Sequence, residues 1–137
     1  MATPTRNQRP AWLPAQGVLD AVRAGMWWDA VTIEGDLGRA VAERLSAASG
    51  EMPGPIVCDP LGPTPKTYFL VPCGTAALWD EPDTAALGEC CYIGLPGTLD
   101  ADPHGVHWIV PPTARVPRLV RPELLRTVIA EARKATS

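Results

Sequence analysis

Asp100, Asp102, His104 and His107 fall within eight residues, the one stretch of this sequence in which metal-type ligands cluster. Carboxylates and imidazoles at such spacing suit a divalent cation, which needs several lone-pair donors converging on one point. The stretch that carries them is interrupted by Pro103 and Gly105, so it supplies no rigid framework to aim the ligands. A solvated loop that leads His107 into a strand is the stronger reading, and no metal or other cofactor is expected. Cys73 with His104 or His107 as base and Asp80 or Asp83 as orienter would make a nucleophilic set on paper. Four cysteines and two histidines in 137 residues allow such a set in almost any arrangement, so it has little specificity. A further catalytic grouping is Asp59, Lys66, Tyr68 and His107, around which a small-molecule or peptide-modifying enzyme could build a pocket.

The other cysteines point away from chemistry. Cys58, Cys73, Cys90 and Cys91 lack the C-x2-4-C pairs of a zinc site, and adjacent cysteines bridge only with strain. Cys58 and Cys91 lie in apolar runs, as small buried hydrophobes of a reducing compartment do. Gly94-Leu-Pro-Gly97 lacks the spacing and the following helix of a phosphate-binding loop.

Binding chemistry is better represented. Five tryptophans are more than one small core needs, and Trp28 is the one expected to face outward, where it could stack on a base or enter a protein partner. Arg115, Arg118 and Arg121 recur every three residues, with Arg126 beyond them, as a ridge suited to phosphates or to an acidic partner. Net charge is −3, but residues 26–107 carry −9 while the two ends carry +2 and +4. Basic ends folded back on an acidic body account for that pattern better than nucleic acid does, since the pI is near 5.3.

The elements that position these groups are read from periodicity. Residues 1–25, rich in proline and polar residues, read as an extended arm with a short helix over Val18–Arg23. Residues 26–137 read as one domain. Met26–Ile33 alternates as a strand, Asp36 caps a helix over Leu37–Ala48, and two strands, Pro55–Asp59 and Lys66–Val71, have hairpin spacing. A polar stretch with one or two helical turns follows. Strands Cys90–Leu95 and Val106–Val110 come next, then a helix that begins at Pro122 and buries Leu124, Leu125, Val128, Ile129 and Ala132. The order β-α-β-β-(short helix)-β-β-α predicts an α+β fold, one mainly antiparallel sheet with two main helices on one face. No apolar run approaches the length of a membrane span, and with no leader-like apolar segment after Met1 the expected location is the cytoplasm.

Gly54-Pro-Ile-Val, Tyr68-Phe-Leu-Val-Pro-Cys-Gly-Thr-Ala76, Leu87-Gly88, Tyr92-Ile-Gly-Leu-Pro96 and Val106-His-Trp-Ile-Val-Pro-Pro112 occur in that order. The set resembles the N-terminal region of actinobacterial-type bifunctional DNA primase/polymerase proteins, of the archaeo-eukaryotic primase superfamily, over residues 26 to about 112. The resemblance implies two metals held by strand-borne carboxylates two residues apart. Here Asp59 is followed at that spacing by Leu61 and Asp29 by Val31, while Lys66 stands near the place of the family's nucleotide-binding histidine. The expectation is therefore a small standalone relative that has lost its metal site. It would serve as a non-catalytic accessory module that binds a protein partner or itself, with nucleic acid as the second class of partner.

Overall fold

The computed structural model describes residues 9–48, 53–99, 104–112 and 114–136. Its elements in chain order are β1 (Leu19–Arg23), β2 (Asp29–Glu34), α1 (Gly35–Ala48), β3 (Ile56–Asp59), β4 (Lys66–Val71), α2 (Thr75–Leu78), β5 (Thr84–Leu87), β6 (Tyr92–Pro96), β7 (His107–Val110) and α3 (Pro122–Thr136). Five strands form an antiparallel sheet in the order β5-β2-β4-β3-β7, and β1 pairs with β6 in a separate two-stranded ribbon. The fold is α+β, with α1 and α3 packed on one face of the larger sheet.

Strand alternation sorts the side chains of β2 and β4 into two cores. Val31, Ile33, Phe69 and Val71 face the helices and meet Val41 and Leu45 of α1 and Leu125, Val128 and Ile129 of α3. Ala30, Leu70 and the preceding Trp28 face the other way, onto Leu13, Ile93, Leu95 and Trp108. Buried on both faces, the central strands carry near-continuous apolar runs such as Tyr68-Phe-Leu-Val71, which a half-solvated strand would not. The β3–β4 hairpin takes the expected register, Ile56 opposite Phe69 and Asp59 opposite Lys66. Pro122 opens α3, Glu123 sits in its first turn, and Arg133 and Lys134 in its last, the arrangement that suits the helix dipole.

Two elements differ from expectation. The segment expected as a short helix, Val18–Arg23, is instead strand β1, paired from Leu19 to Arg23 with Pro96 to Tyr92. Its local composition allows a helix, but antiparallel pairing seats Val22 opposite the buried Ile93. Within residues 9–25 the arm lies against the body, with Leu13 in the core and Arg9 donating to the carbonyls of Pro14 and Gly97. β5 has no counterpart in the sequence reading. Thr-Ala-Ala-Leu has weak strand propensity, and it extends because β2 offers it a free edge.

Candidate functional site

Asp59, Lys66, Tyr68 and His107 do not converge. Asp59 and Lys66 are cross-strand partners at the turn end of the β3–β4 hairpin, and Tyr68 lies two residues along β4 on the same face. His107 pairs with Cys58, the neighbour of Asp59, and so belongs to the opposite face of the sheet. Asp59 accepts a hydrogen bond from the Leu61 amide at 3.0 Å and thereby stabilises its own turn. The Tyr68 phenol is pushed above its ordinary value of 10.0 by burial, and further by the nearby carboxylates of Asp59 and Glu34. A phenol that resists ionisation between two acids serves poorly as a base.

Among the described residues the most buried carboxylate belongs to a residue that the sequence offered only as a failed metal ligand. Asp29 is 3% exposed, and its Oδ2 accepts from the amides of Gly74 and Ala76, each at 2.9 Å. It thus braces the turn between β4 and α2. Its signal in the sequence was a lone acid inside the run Met26-Trp-Trp-Asp-Ala-Val31. Replacing Asp29 with alanine strands both amides and should cost about 2–3 kcal/mol; chemical denaturation measures it, and an unchanged midpoint would refute the bracing role.

The nucleophilic set is not brought together, and of the metal set only His104 and His107 are described. Asp100 and Asp102 lie outside the described residues. His107 donates Nδ1–H to the Gly105 carbonyl at 2.8 Å, and His104 is exposed at the end of the loop. Among the described residues no group of three or more histidine, cysteine, aspartate or glutamate side chains could hold a metal ion. Cys73 lines a shallow hollow beside α2 with Leu78, Glu123 and Arg126 and no histidine. All four cysteines are free, and burial raises the thiols of Cys58 and Cys73 above their ordinary value of 9.0, with Asp29 adding to the effect at Cys73.

These raised values set a pH dependence. The folded protein keeps the Cys58, Cys73 and Tyr68 protons to higher pH than the unfolded chain does. Their contribution to stability is therefore complete below pH 9, and it is lost as pH climbs through the raised values. Thermal denaturation should show a falling Tm between pH 9 and 11, and Tyr68→Phe should reduce the part of that fall above pH 10. A flat Tm across this range would contradict the assignment.

The aromatic residues are distributed differently from expectation. Trp28, expected outside, is 0% exposed and belongs to the core below the sheet. Trp12 of the N-terminal segment meets its ring edge to face at 5.7 Å and 82°, and lies 6.3 Å from Trp108. The outward tryptophan is its neighbour Trp27, 49% exposed. In the tight turn between β1 and β2, closed by Gly25 N–H donating to the Trp28 carbonyl, consecutive side chains diverge. One ring must go in and the other out, and hydropathy alone cannot say which. Trp27 and Trp12 line a hollow of about 300 Å³ together with Arg115, Val116, Pro117 and Leu119. Val116 is 86% exposed and Met26, beside Trp27, 63%.

The arginine ridge is split among different tasks. Arg115 reaches the Trp27 hollow. Arg118 and Arg121 are exposed and do not line it. Arg126 lies 5.0 Å over the Trp79 ring and donates to the Leu78 carbonyl, while Arg133 bonds the Pro82 carbonyl and pairs with Glu81 at 3.5 Å. Basic residues of α3 thus hold the acidic α2–β5 segment, as the charge pattern suggested. No family model matches the chain, and no curated protein or solved structure matches it either. No helix of the described residues is long and apolar enough to cross a membrane.

Proposed function

We propose that the chain is a non-catalytic binding module that acts in the cytoplasm, derived from a primase/polymerase-like fold, and that it engages a protein partner or a second copy of itself through Trp27, Trp12 and Arg115. The observation that carries this reading is the half-exposed Trp27 beside Arg115 in a hollow rimmed by the exposed Val116. Tryptophan and arginine in a partly desolvated pocket are the residue types in which partner affinity concentrates, and a soluble surface rarely keeps such apolar groups together without a use. The dispersal of Asp59, Lys66, Tyr68 and His107 over two faces leaves the small-molecule enzyme reading without its pocket, and the lack of a second acid beside Asp59 speaks against templated synthesis. The motif segments that suggested the kinship fall on β3, on β4 and the start of α2, at the end of β5, and on β6 and β7.

The test compares Trp27→Ala with the parent protein. Tm should change little, because the ring is half in water, while self-association by sedimentation, or capture of a cross-linked partner, should weaken by about thirtyfold or more, the ~2 kcal/mol of an interface anchor. Undiminished association would overturn the reading. Nucleic acid as the partner instead would appear as affinity falling steeply with salt, with a slope that Arg115→Ala, Arg118→Ala and Arg121→Ala flatten.

A further inference from the structure

Among the described residues the helix-facing side of the sheet is not wholly covered. Arg126 and Arg133 tie α3 toward α2 and the segment before β5, and above β3 and β7 an open cleft of about 710 Å³ remains, to which α3 contributes no residue. Its wall is a single stripe of α1 made of Arg39, Ala42, Glu43, Ser46 and Ala47, and its floor holds Cys58, Thr67, His107 and Ile109. Small residues on both sides keep it open, and its volume is within the ~300–1,000 Å³ of small-ligand sites.

Arg39 and Glu43 stand one helical turn apart, the spacing at which opposite charges pair on a helix. Both line the cleft, and neither forms an ion pair or hydrogen bond among the described residues. Ile109, 37% exposed, and Pro60 offer apolar surface opposite them. With Nδ1–H given to the Gly105 carbonyl, His107 retains Nε2 as an acceptor.

We propose that this cleft binds a short apolar zwitterion of dipeptide size, with its carboxylate on Arg39, its ammonium on Glu43 and its side chains over Ile109 and Pro60. Guanidinium takes a carboxylate in bidentate fashion, the Glu43 carboxylate accepts from an ammonium, and His107 Nε2 can accept the single amide N–H between them. Burial pushes the Cys58 thiol up, so it adds no thiolate to the floor. The site lies on the opposite side of the sheet from Trp28 and Trp12 and does not depend on the binding reading above.

Leucyl-leucine, titrated into the labelled protein and followed by amide chemical shifts, tests it. Saturable shifts at His107, Ile109 and α1 with a Kd below about 1 mM are expected. N-acetyl-leucyl-leucine and leucyl-leucine amide should each bind about tenfold more weakly, the size of one charge-assisted contact. Glu43→Gln should erase the penalty for acetylation alone, Arg39→Gln the penalty for amidation alone, and Ala47→Trp should fill the cleft and abolish binding. Absence of saturation, equal affinity for the capped forms, or penalties unmoved by the two variants would overturn the proposal. Shifts confined to Trp27 and Arg115 would overturn it as well, while leaving the other surface's role intact.

Discussion

Trp28→Ala is expected to remove about 4 kcal/mol of stability, within the ~3–5 kcal/mol found for deleting a buried aromatic side chain. The ring is fully buried, and its neighbours come from separate parts of the chain: Trp12 from the N-terminal segment, Ile93 and Leu95 from β6, Trp108 from β7. No single element can move in to fill the space without losing its own pairing. A domain of this size has roughly 5–15 kcal/mol in total, so the variant should lose more than about 10 °C of Tm and populate unfolded chains visibly. Among the described residues Trp28 Nε1 has no hydrogen-bond partner, whereas Trp108 Nε1 donates to the Pro96 carbonyl at 2.8 Å. Trp28→Phe should therefore be the milder change, and Trp108→Phe should cost an additional ~1 kcal/mol for the carbonyl it strands. Equal costs for the two phenylalanine variants would contradict the hydrogen-bond assignment, and a Trp28→Ala protein as stable as its parent would contradict the core itself.

Gly54→Ala should be comparably damaging for a different reason. Gly54 has φ of 121°, and a Cβ there would stand 2.5 Å from the Val120 nitrogen and 2.7 Å from the Leu119 carbonyl carbon. That peptide is fixed, because the Val120 amide donates to the Leu70 carbonyl at 2.8 Å and the Val120 side chain is fully buried. Strain at positive φ costs about 1–3 kcal/mol and overpacking about as much again, which together place the loss near 3–5 kcal/mol. Gly62→Ala separates the two contributions: its φ is 85° and nothing lies within 4 Å of the added Cβ, so only about 1–2 kcal/mol of backbone strain remains. Urea denaturation of the two variants should show the gap between them, and equal midpoints would mean that the Leu119–Val120 segment yields to the extra methyl group.

What could be read before folding was local. The alternation in β2, the β3–β4 hairpin, the apolar stripe of α3 and its charged ends depend on neighbours within a few residues, and these elements are present, although β2 begins at Asp29 rather than Met26 because the turn after β1 takes up Met26–Trp28. The charge pattern was legible too, since Arg133 and Glu81 meet as basic ends and acidic body should. β1 and β5 were not, because each is extended only through a partner far away in sequence, β6 for one and β2 for the other.

The sequence by itself determined that the chain would be an α+β domain with two main helices on one face of a mainly antiparallel sheet and that one member of the Trp27–Trp28 pair would face away from the other; the second core on the other face came only with the tertiary structure. Only the tertiary structure decided which ring went in, because that choice depends on whether Trp12 and Trp108 are there to receive it. It also decided that His107 stands across the sheet from Asp59, Lys66 and Tyr68. Strand register fixes the face a side chain takes with a period of two, and the register of β7 against β3, with its shift between Ile56 and Val57, is set by packing across the whole sheet rather than by any residue near His107.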